Sequence, residues 1–231
     1  MEWGSKDFRF RTSLFIETEK GKKILVEVTP DIRLQSWKFK LEKPDIILIS
    51  HWHWDHLFGL LDLDWFAQKN VMTVYGNKVT KKWYTERMGH IGVDFHVFNS
   101  YRSFEIDNII ITPILVHHVE ETHGFLFEDK LSGKKFVYLS DLYAIPPETA
   151  ECISGADAIT VDATYLESDV DDDDTHLKKD QIKPFLESLN VGEIIFTNIG
   201  SYQGLTHTEF EQRFSQYTIA YDGMNREFSF S

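Results

Sequence analysis

Cysteine is nearly absent from the chain, because Cys152 is the only one among 231 residues. A lone thiol excludes an internal disulfide and a cysteine-based zinc site. Free thiols are typical of proteins from a reducing compartment, so we expect a cytoplasmic protein in which Cys152 is inert.

Long apolar runs are lacking as well. No stretch reaches the roughly 18 apolar residues of a membrane-spanning helix, and the first residues lack the apolar core of a signal peptide. We therefore expect no membrane partner. No repeat or low-complexity linker divides the sequence, and 42% of its residues are hydrophobic, enough for a large core. The expectation is a single domain over residues 1–231.

Positive charge is scarce. The chain has 24 lysines and arginines against 37 aspartates and glutamates, and its formal net charge is −13. A field of this sign repels polyphosphate backbones, so a long nucleic acid is not expected as a partner. Part of the excess lies at Asp169 and residues 171–174, a run that lacks the spaced Gly and Glu of an EF-hand loop. We interpret it as a solvated loop.

The hydrophobic pattern predicts a layered α+β (α/β layered) fold. Apolar or alternating runs predict strands at 8–16, 23–28, 46–49, 71–75, 108–116, 125–127, 135–139, 157–161, 193–196 and 218–221. Longer segments predict helices at 57–68, 177–189 and 208–217. Strands and helices interleave, but the pair at 125–139 reads as a hairpin, which does not fit a purely parallel sheet. A sandwich of two sheets with outer helices fits this order better.

The strongest chemical pattern is the segment Ser50-His-Trp-His-Trp-Asp-His56. His51 and His53 lie two apart on an extended segment, so they project to the same side. Asp55 and His56 follow at the turn into a helix. The packing of a core does not require three imidazoles in six residues, so this pattern predicts a metal site.

Other predicted strands end in possible ligands on the same rim. His118 closes the strand that starts near residue 108, and Asp141 closes the strand that starts near residue 135. His207 opens a predicted helix after the strand at 193–196. A carboxylate at this rim is able to bridge two cations about 3.5–4 Å apart, the spacing of two-metal hydrolases.

The signature His51-x-His53-x-Asp55-His56 resembles that of the metallo-β-lactamase superfamily, whose fold is an αββα sandwich. Further segments resemble the branch that contains the phosphoribosyl cyclic phosphate phosphodiesterase and the tRNA 3′-processing endonuclease. These segments are Thr29-Pro-Asp-Ile-Arg-Leu-Gln35, His118 with Gly124-Phe, Tyr138-Leu-Ser-Asp141, Asp162-Ala-Thr-Tyr165 and Ala220-Tyr-Asp-Gly-Met224. The resemblance extends over residues 9–228.

This resemblance implies roles for individual residues. It implies a first metal held by His51, His53 and His118. It implies a second metal held by Asp55 and His56, with Asp141 shared between both. His176 matches a histidine that faces the scissile phosphate, although an exposed histidine at a helix start would look the same. His117 alternates to the other side of its strand, so we expect it to pack away from the site.

The chain departs from the family pattern in three places. The last metal histidine of the family is replaced by Asn198, so either the Asn198 carbonyl oxygen or the His207 imidazole completes the second site. The cysteine cluster of a structural zinc site is missing, and Ser201 stands where its histidine would be, so no structural zinc is expected. Trp52 and Trp54 flank the ligands and either narrow the pocket or pack beneath it.

Together these features predict a metal-dependent hydrolase that acts on small or cyclic phosphodiesters. One or two divalent ions, zinc or manganese rather than iron, act as Lewis acids and lower the pKa of a bound water, which gives a hydroxide at neutral pH. Asp55 orients this hydroxide and takes its proton, and His176 protonates or stabilises the leaving group. The expected partner is a small anionic phosphodiester, and assembly as a homodimer stays open.

Two alternatives stay open, and two others are disfavoured by the sequence. A lactonase or thioesterase of the same superfamily would use the same ligands, and a degenerate metal-binding member would explain Asn198. A di-iron oxidoreductase is disfavoured because that branch has Glu where this chain has His53. A tRNA-processing enzyme is disfavoured because no Gly- and Lys-rich arm is inserted in the sequence.

Overall fold

The structure, a computed structural model, describes residues 4–63, 71–167, 175–200 and 203–227. Its strands are β1 (Leu14–Glu17), β2 (Lys23–Val26), β3 (Ile46–Leu48), β4 (Met72–Gly76), β5 (Val93–Val97), β6 (Phe104–Ile106), β7 (Ile109–Leu115), β8 (His123–Asp129), β9 (Lys135–Tyr138), β10 (Ala158–Asp162), β11 (Glu193–Thr197) and β12 (Thr218–Ile219). Its helices are α1 (Ile32–Phe39), α2 (Trp54–Leu57), α3 (Lys78–Met88), α4 (Pro147–Ile153), α5 (Lys179–Glu187) and α6 (His207–Arg213).

The first sheet contains, in the described part of the chain, five strands in the order β1-β2-β3-β4-β5. β1 pairs antiparallel with β2, whereas β2 to β5 are mutually parallel. Parallel neighbours need crossover connections, and helices α1 and α3 lie in two of them. The carboxyl ends of β2, β3 and β4 therefore share one edge.

The second sheet has the order β12-β11-β10-β9-β8-β7-β6, counted over the described ranges. Strands β9 to β12 are parallel, and the pairs β6–β7, β7–β8 and β8–β9 are antiparallel. Two antiparallel steps restore the original direction, so β7 runs the same way as β9, β10 and β11. The predicted hairpin between β8 and β9 is confirmed.

The core separates into layers because successive residues of a strand face opposite sides of its sheet. Ile24 and Val26 of β2 point into the space between the sheets, where they share a buried cluster with Phe125 of β8. Leu25, between them, faces outward into a cluster with Tyr84 of α3. The first sheet is therefore covered by helices on one face and by the second sheet on the other.

Helices also cover the outer face of the second sheet. Ile159 and Val161 of β10 share a buried cluster with Ile182 of α5 and Phe210 of α6. The layers follow the order helix, sheet, sheet, helix, so the predicted αββα sandwich is confirmed. Among the described residues, no helix is long and apolar enough to cross a lipid bilayer.

The N-terminal segment differs from its prediction. The strand predicted over 8–16 begins only at Leu14. Upstream of it, the backbone N–H of Phe10 donates to Asp222 at 2.9 Å, and the guanidinium of Arg9 donates to a backbone carbonyl of the same C-terminal region. The segment is held by the far end of the chain instead of a strand ladder, which its sequence pattern does not reveal.

The helix predicted over 57–68 is also different in its described part. It consists of the short helix α2 and a 3-10 turn over Phe58–Asp62, and residues 64–70 lie outside the described ranges. The path depends on Gly59, because a Cβ atom at this position would lie 2.2 Å from the carbonyl oxygen of Thr29. The segment therefore packs directly against the loop after β2, with no room for a side chain at residue 59.

Some elements had no counterpart in the sequence prediction, namely α1, α3, α4, β5 and β6. Their apolar periodicity is weak, but the N-terminus of α3 has a recognisable sequence signal. The side chain of Asn77 accepts a hydrogen bond of 2.7 Å from the N–H of Thr80, as an N-cap residue does. Asn77 is therefore the residue in the sequence that indicates the start of α3.

His123, at the start of β8, is a buried histidine that the fold keeps neutral. Its Nδ1–H donates to the carbonyl oxygen of Glu121 at 3.0 Å, and its Nε2 accepts from the hydroxyl of Ser100 at 2.9 Å. The side chain is 3% exposed, and this burial lowers its pKa from 6.5 to about 4. A proton on His123 is therefore much better accommodated in the unfolded chain.

This shift predicts an acid-sensitive fold. The depressed pKa contributes stability that is complete above pH 6.5 and is lost as the pH falls towards the folded value of about 4. One proton changes stability by about 1.4 kcal/mol per pH unit, so the loss across this window is about 3 kcal/mol. Urea unfolding at pH 7 and pH 5 should show a smaller pH-dependent loss in His123→Gln than in the wild type. Equal losses in the two proteins would contradict this account of His123.

Candidate metal centre

The candidate site lies at the edge where strands of both sheets end. His51 follows β3 in the first sheet, and His118, Asp141 and Asn198 follow β7, β9 and β11 in the second. These strands of the second sheet run in one direction, so their carboxyl ends lie along a common edge. Asp162, the last residue of β10, lies on that edge too. The sheet order thus gathers side chains that are far apart in sequence.

The first group of possible ligands is formed by His51, His53, His118 and Asp141, whose ligand atoms lie within 4.8 Å of one another. Asp141 Oδ2 is 3.6 Å from Nε2 of His118 and 3.9 Å from Nε2 of His51. His118 Nε2 is 3.2 Å from Nδ1 of His53. Three imidazoles and one carboxylate form a donor set that suits zinc.

The second group consists of Asp55, His56 and Asp141. Nε2 of His56 lies 3.1 Å from Asp141 Oδ2 and 3.6 Å from Asp55 Oδ2. Asp55 and His56 belong to the four-residue helix α2, which begins directly after His53. The two groups meet at Asp141, and specifically at its Oδ2 atom.

The hydrogen bonds of two histidines leave a nitrogen aimed at the cluster. Nδ1 of His118 lies 2.7 Å from the carbonyl oxygen of Thr175, which only accepts, so the lone pair of this ring is on Nε2. Nδ1 of His51 lies 2.7 Å from the hydroxyl of Ser50. Its Nε2 is buried and has no hydrogen-bond partner among the described residues. A buried polar atom left in this way costs about 1–3 kcal/mol, so the donor set fits a cation.

Burial sets the charge of the first group. Burial and the neighbouring charge of His56 hold the pKa of His51 well below its ordinary value. Burial also lowers the pKa of His53 and of His118. These rings are therefore neutral near pH 7, and a neutral imidazole is the form that binds a metal.

Asp141 and His56 form a buried ion pair. Burial alone would raise the pKa of the Asp141 carboxyl, but His56 and His51 hold it well below its ordinary range. Burial likewise opposes a charge on His56, but Asp141 and Glu27 hold its pKa well above the ordinary value. A metal bound through His56 would consequently displace a proton.

Glu27 is a site residue that the sequence analysis missed. Its side chain is fully buried, its Oε1 lies 3.5 Å from Nδ1 of His56, and its Oε2 accepts from the N–H of Ser50 at 3.4 Å. Its backbone φ of 62° is unusual for a non-glycine residue. A signal was present in the sequence, since Glu27 interrupts the apolar run at 24–28.

His176 lies beside the first group and is oriented by a carboxylate. Its Nδ1–H donates to Asp162 Oδ2 at 2.6 Å, and its ring centre is 4.8 Å from that of His118. Asp162 is fully buried, and its Oδ1 also accepts from the N–H and hydroxyl of Thr164 at 2.9 and 2.6 Å. Asp141, Asp162 and His176 form a third group of possible ligands. In the sequence, Asp162 stands out only as the first residue of the segment Asp162-Ala-Thr-Tyr165, which does not indicate its role.

Asn198 lies at the site, but its amide nitrogen is the atom that faces the carboxylates. Its Nδ2 donates to Asp141 Oδ1 at 2.6 Å and lies 3.5 Å from Asp162 Oδ1. Its Oδ1 accepts from the hydroxyl of Thr12 at 2.8 Å. The carbonyl oxygen that was predicted as a metal ligand therefore points away from the cluster.

His207 is not brought to the cluster. It opens α6, as predicted, but its Nε2 donates to Glu211 Oε1 at 2.9 Å and its Nδ1 accepts from Arg9 at 3.1 Å. It belongs to none of the ligand groups found in the described part of the chain. The contacts with Arg9 and Glu211 explain the burial of this histidine without a metal.

The residues adjacent in sequence to the ligand histidines pack around the site or are exposed beside it. His117 is exposed and its ring stacks on that of Tyr143. Trp52 stacks on Trp83, whereas Trp54 is 52% exposed at the rim. The acidic run at 169–174 and residue 201 lie outside the described residues, and so their predicted roles stay predictions.

Adjacent histidines provide a matched test of the first group. His118→Ala removes a ligand and should lose bound metal, whereas His117→Ala alters only an exposed ring and should retain it. Elemental analysis of both purified variants measures the difference, and circular dichroism checks that both are folded. Equal metal contents in the two variants would remove His118 from the ligand set.

A family model described as a beta-lactamase superfamily domain matches residues 22–199. This range includes every residue of the three ligand groups. A curated relative, named octanoyltransferase, from Porphyromonas gingivalis (strain ATCC BAA-308 / W83) is 26% identical over 157 residues. The match covers 64% of this chain, and the chain spans about a third (31%) of the length of that relative.

Several solved structures are similar to this chain over most of its length. A diphosphatase from the PhnP family has a TM-score of 0.84 at 25% identity, over 99% of this chain and 88% of that one. Zinc-bound PqqB from Methylobacterium extorquens has a TM-score of 0.78 at 19% identity, over 92% and 86% of the two chains. Human tRNase Z, short form, has a TM-score of 0.71 at 17% identity, over 93% and 91%. The last two show a shared fold, and the resemblance predicted from the sequence is confirmed.

Proposed function

We propose that this chain, which belongs to the beta-lactamase superfamily of metal-dependent hydrolases, hydrolyses small phosphoesters at the cluster around Asp141. The observation that carries the proposal is the position of His176. Its ring adjoins His118 of the first ligand group, and Asp162 fixes its orientation. An oriented imidazole beside a cation site suits a substrate that carries negative charge and must release an alkoxide.

The metal would be held by His51, His53, His118 and Asp141, with Asp55 and His56 beside them. When bound, it supplies Lewis acidity towards a phosphoryl oxygen and lowers the pKa of water. Imidazole nitrogens suit zinc, and the additional carboxylates also suit manganese, so these are the proposed ions.

Two side chains of the protein would move protons. Asp55, the more exposed carboxylate at the cluster, would accept the proton of the attacking water on Oδ2, which lies 3.6 Å from Nε2 of His56. His176 would donate a proton to the leaving oxygen, and Asp162 would stabilise its charged form. Together these steps cleave one P–O bond and add the elements of water.

The charge of the chain supports a small substrate. A net charge of −13 repels a long polyanion, but a metal and the imidazoles provide a locally positive site for a short one. The similarity to a PhnP-family diphosphatase supports phosphoester chemistry. We therefore propose short linear or cyclic phosphodiesters as substrates, and little activity on long RNA or duplex DNA.

Acyl ester or thioester hydrolysis is the second candidate. The curated relative is named octanoyltransferase, which favours acyl chemistry. This support is weaker, because more than two thirds of that protein lies outside the match. A panel of phosphodiesters, lactones and thioesters, assayed with Zn²⁺ and with Mn²⁺, separates the candidates. Turnover of acyl esters alone, with every phosphodiester intact, would overturn the phosphoesterase proposal.

His176→Ala tests the proposed acid. The variant should retain its metal but hydrolyse bis(p-nitrophenyl) phosphate about 10²–10⁴-fold more slowly, the usual contribution of general acid–base catalysis. His96→Ala is the matched control, since His96 also pairs with a carboxylate, Asp94 at 2.8 Å, but is exposed and outside the ligand groups. The rate of the control should not change. A His176→Ala variant as fast as the wild type would refute the role.

A further inference from the structure

Asn198 occupies a position between two buried carboxylates at the centre of the site. It follows β11 with a left-handed φ of 59°, a conformation that Asn tolerates better than most residues. Its amide nitrogen lies 2.6 Å from Asp141 Oδ1 and 3.5 Å from Asp162 Oδ1. The side chain is thus placed as a hydrogen-bond donor to Asp141, the residue that all three ligand groups share.

The orientation of this amide is fixed by its partners. Ionised carboxylates only accept hydrogen bonds, so an amide rotated by half a turn would place its oxygen 2.6 Å from a carboxylate oxygen of Asp141. In the observed orientation, the hydroxyl of Thr12 donates to Asn198 Oδ1 at 2.8 Å. The two carboxylates therefore favour the same orientation, in which the side chain of Asn198 directs no lone pair at the cluster.

This arrangement divides the two oxygens of Asp141. Oδ2 faces the imidazoles of His51, His56 and His118, at 3.9, 3.1 and 3.6 Å. Oδ1 accepts the hydrogen bond from Asn198. One oxygen of the carboxylate is thereby left to serve a cation.

The first and second ligand groups are consequently unequal in the number of their own ligands. The first has three imidazoles of its own in addition to Asp141. The second has only Asp55 and His56 of its own, and it depends on the Asp141 oxygen that the first group also uses. A tightly held catalytic zinc has at least three protein ligands, a number that the first group reaches without sharing.

We propose that the chain binds one metal ion tightly, at His51, His53, His118 and Asp141, and that Asn198 is a positioning residue that holds Asp141 in place of a second ion. The inference rests on the metal centre of the proposed function. It assigns to Asn198 the hydrogen bond to Oδ1 of Asp141. Asp55 keeps its proposed role as proton acceptor, and His56 remains the buried partner of Asp141.

Metal titration tests this inference without any substrate. The metal-free protein is titrated with Co²⁺, followed by visible absorption, and the zinc-loaded protein is analysed for its elements. We expect an end point at one ion per chain for the wild type and at two for Asn198→His, which adds an imidazole beside Asp141, the residue that completes the group of Asp55 and His56. His207→Ala is the control and should remain at one, because His207 contacts Arg9 and Glu211 instead of the cluster.

Asn198→Ala supplies a second measurement. It removes the donor to Asp141 and adds no ligand, so we expect one ion per chain with an affinity about 10–100-fold weaker, the usual effect of losing such a partner. This variant also decides the matter if Asn198→His fails to fold, as judged by circular dichroism.

Three results would overturn the inference: two tightly bound ions per wild-type chain, a folded Asn198→His that still binds one, or an unchanged affinity in Asn198→Ala. A protein that binds one ion as described but cleaves no phosphoester would contradict the proposed function and leave this inference intact.

Discussion

The carboxylate of Asp141 is the group around which the site is organised. Asp141 is 4% exposed, and its Oδ2 atom lies within 4 Å of ring nitrogens of His51, His56 and His118. A negative charge at this depth is very costly unless cationic or donor groups surround it. The charge on His56 and the amide of Asn198 fill this role, and a bound cation would add to it. The strand ends that carry these residues are thereby tied together across both sheets.

The same arrangement lowers the stability of the folded chain. Nε2 of His51 is buried without a hydrogen-bond partner within the described part of the chain. Such an atom costs about 1–3 kcal/mol. A metal that binds the folded chain and not the unfolded one offsets part of this cost by mass action. Stability and metal binding are thus coupled through one cluster.

Local patterns predicted the parts of the site that depend on local geometry. His51, His53, Asp55 and His56 lie in one short segment, so their convergence could be inferred from strand and helix spacing. Glu27, Asp162 and Thr12 were not predicted, because they reach the site through sheet order and long-range hydrogen bonds. His207 and Asn198 show the same limit, since both are plausible ligands by residue type. Arg9 and Glu211 hold the ring of His207, and Asp141 determines where the amide nitrogen of Asn198 points.

Anomalous diffraction from crystals of the zinc-loaded protein tests the central claim most directly. The account predicts a dominant zinc peak about 2.0–2.2 Å from imidazole nitrogens of His51, His53 and His118 and from Oδ2 of Asp141. Oδ1 of Asp141 should still be bonded to the amide of Asn198. A dominant peak elsewhere, for example at His207, or the absence of zinc from this group would contradict the account.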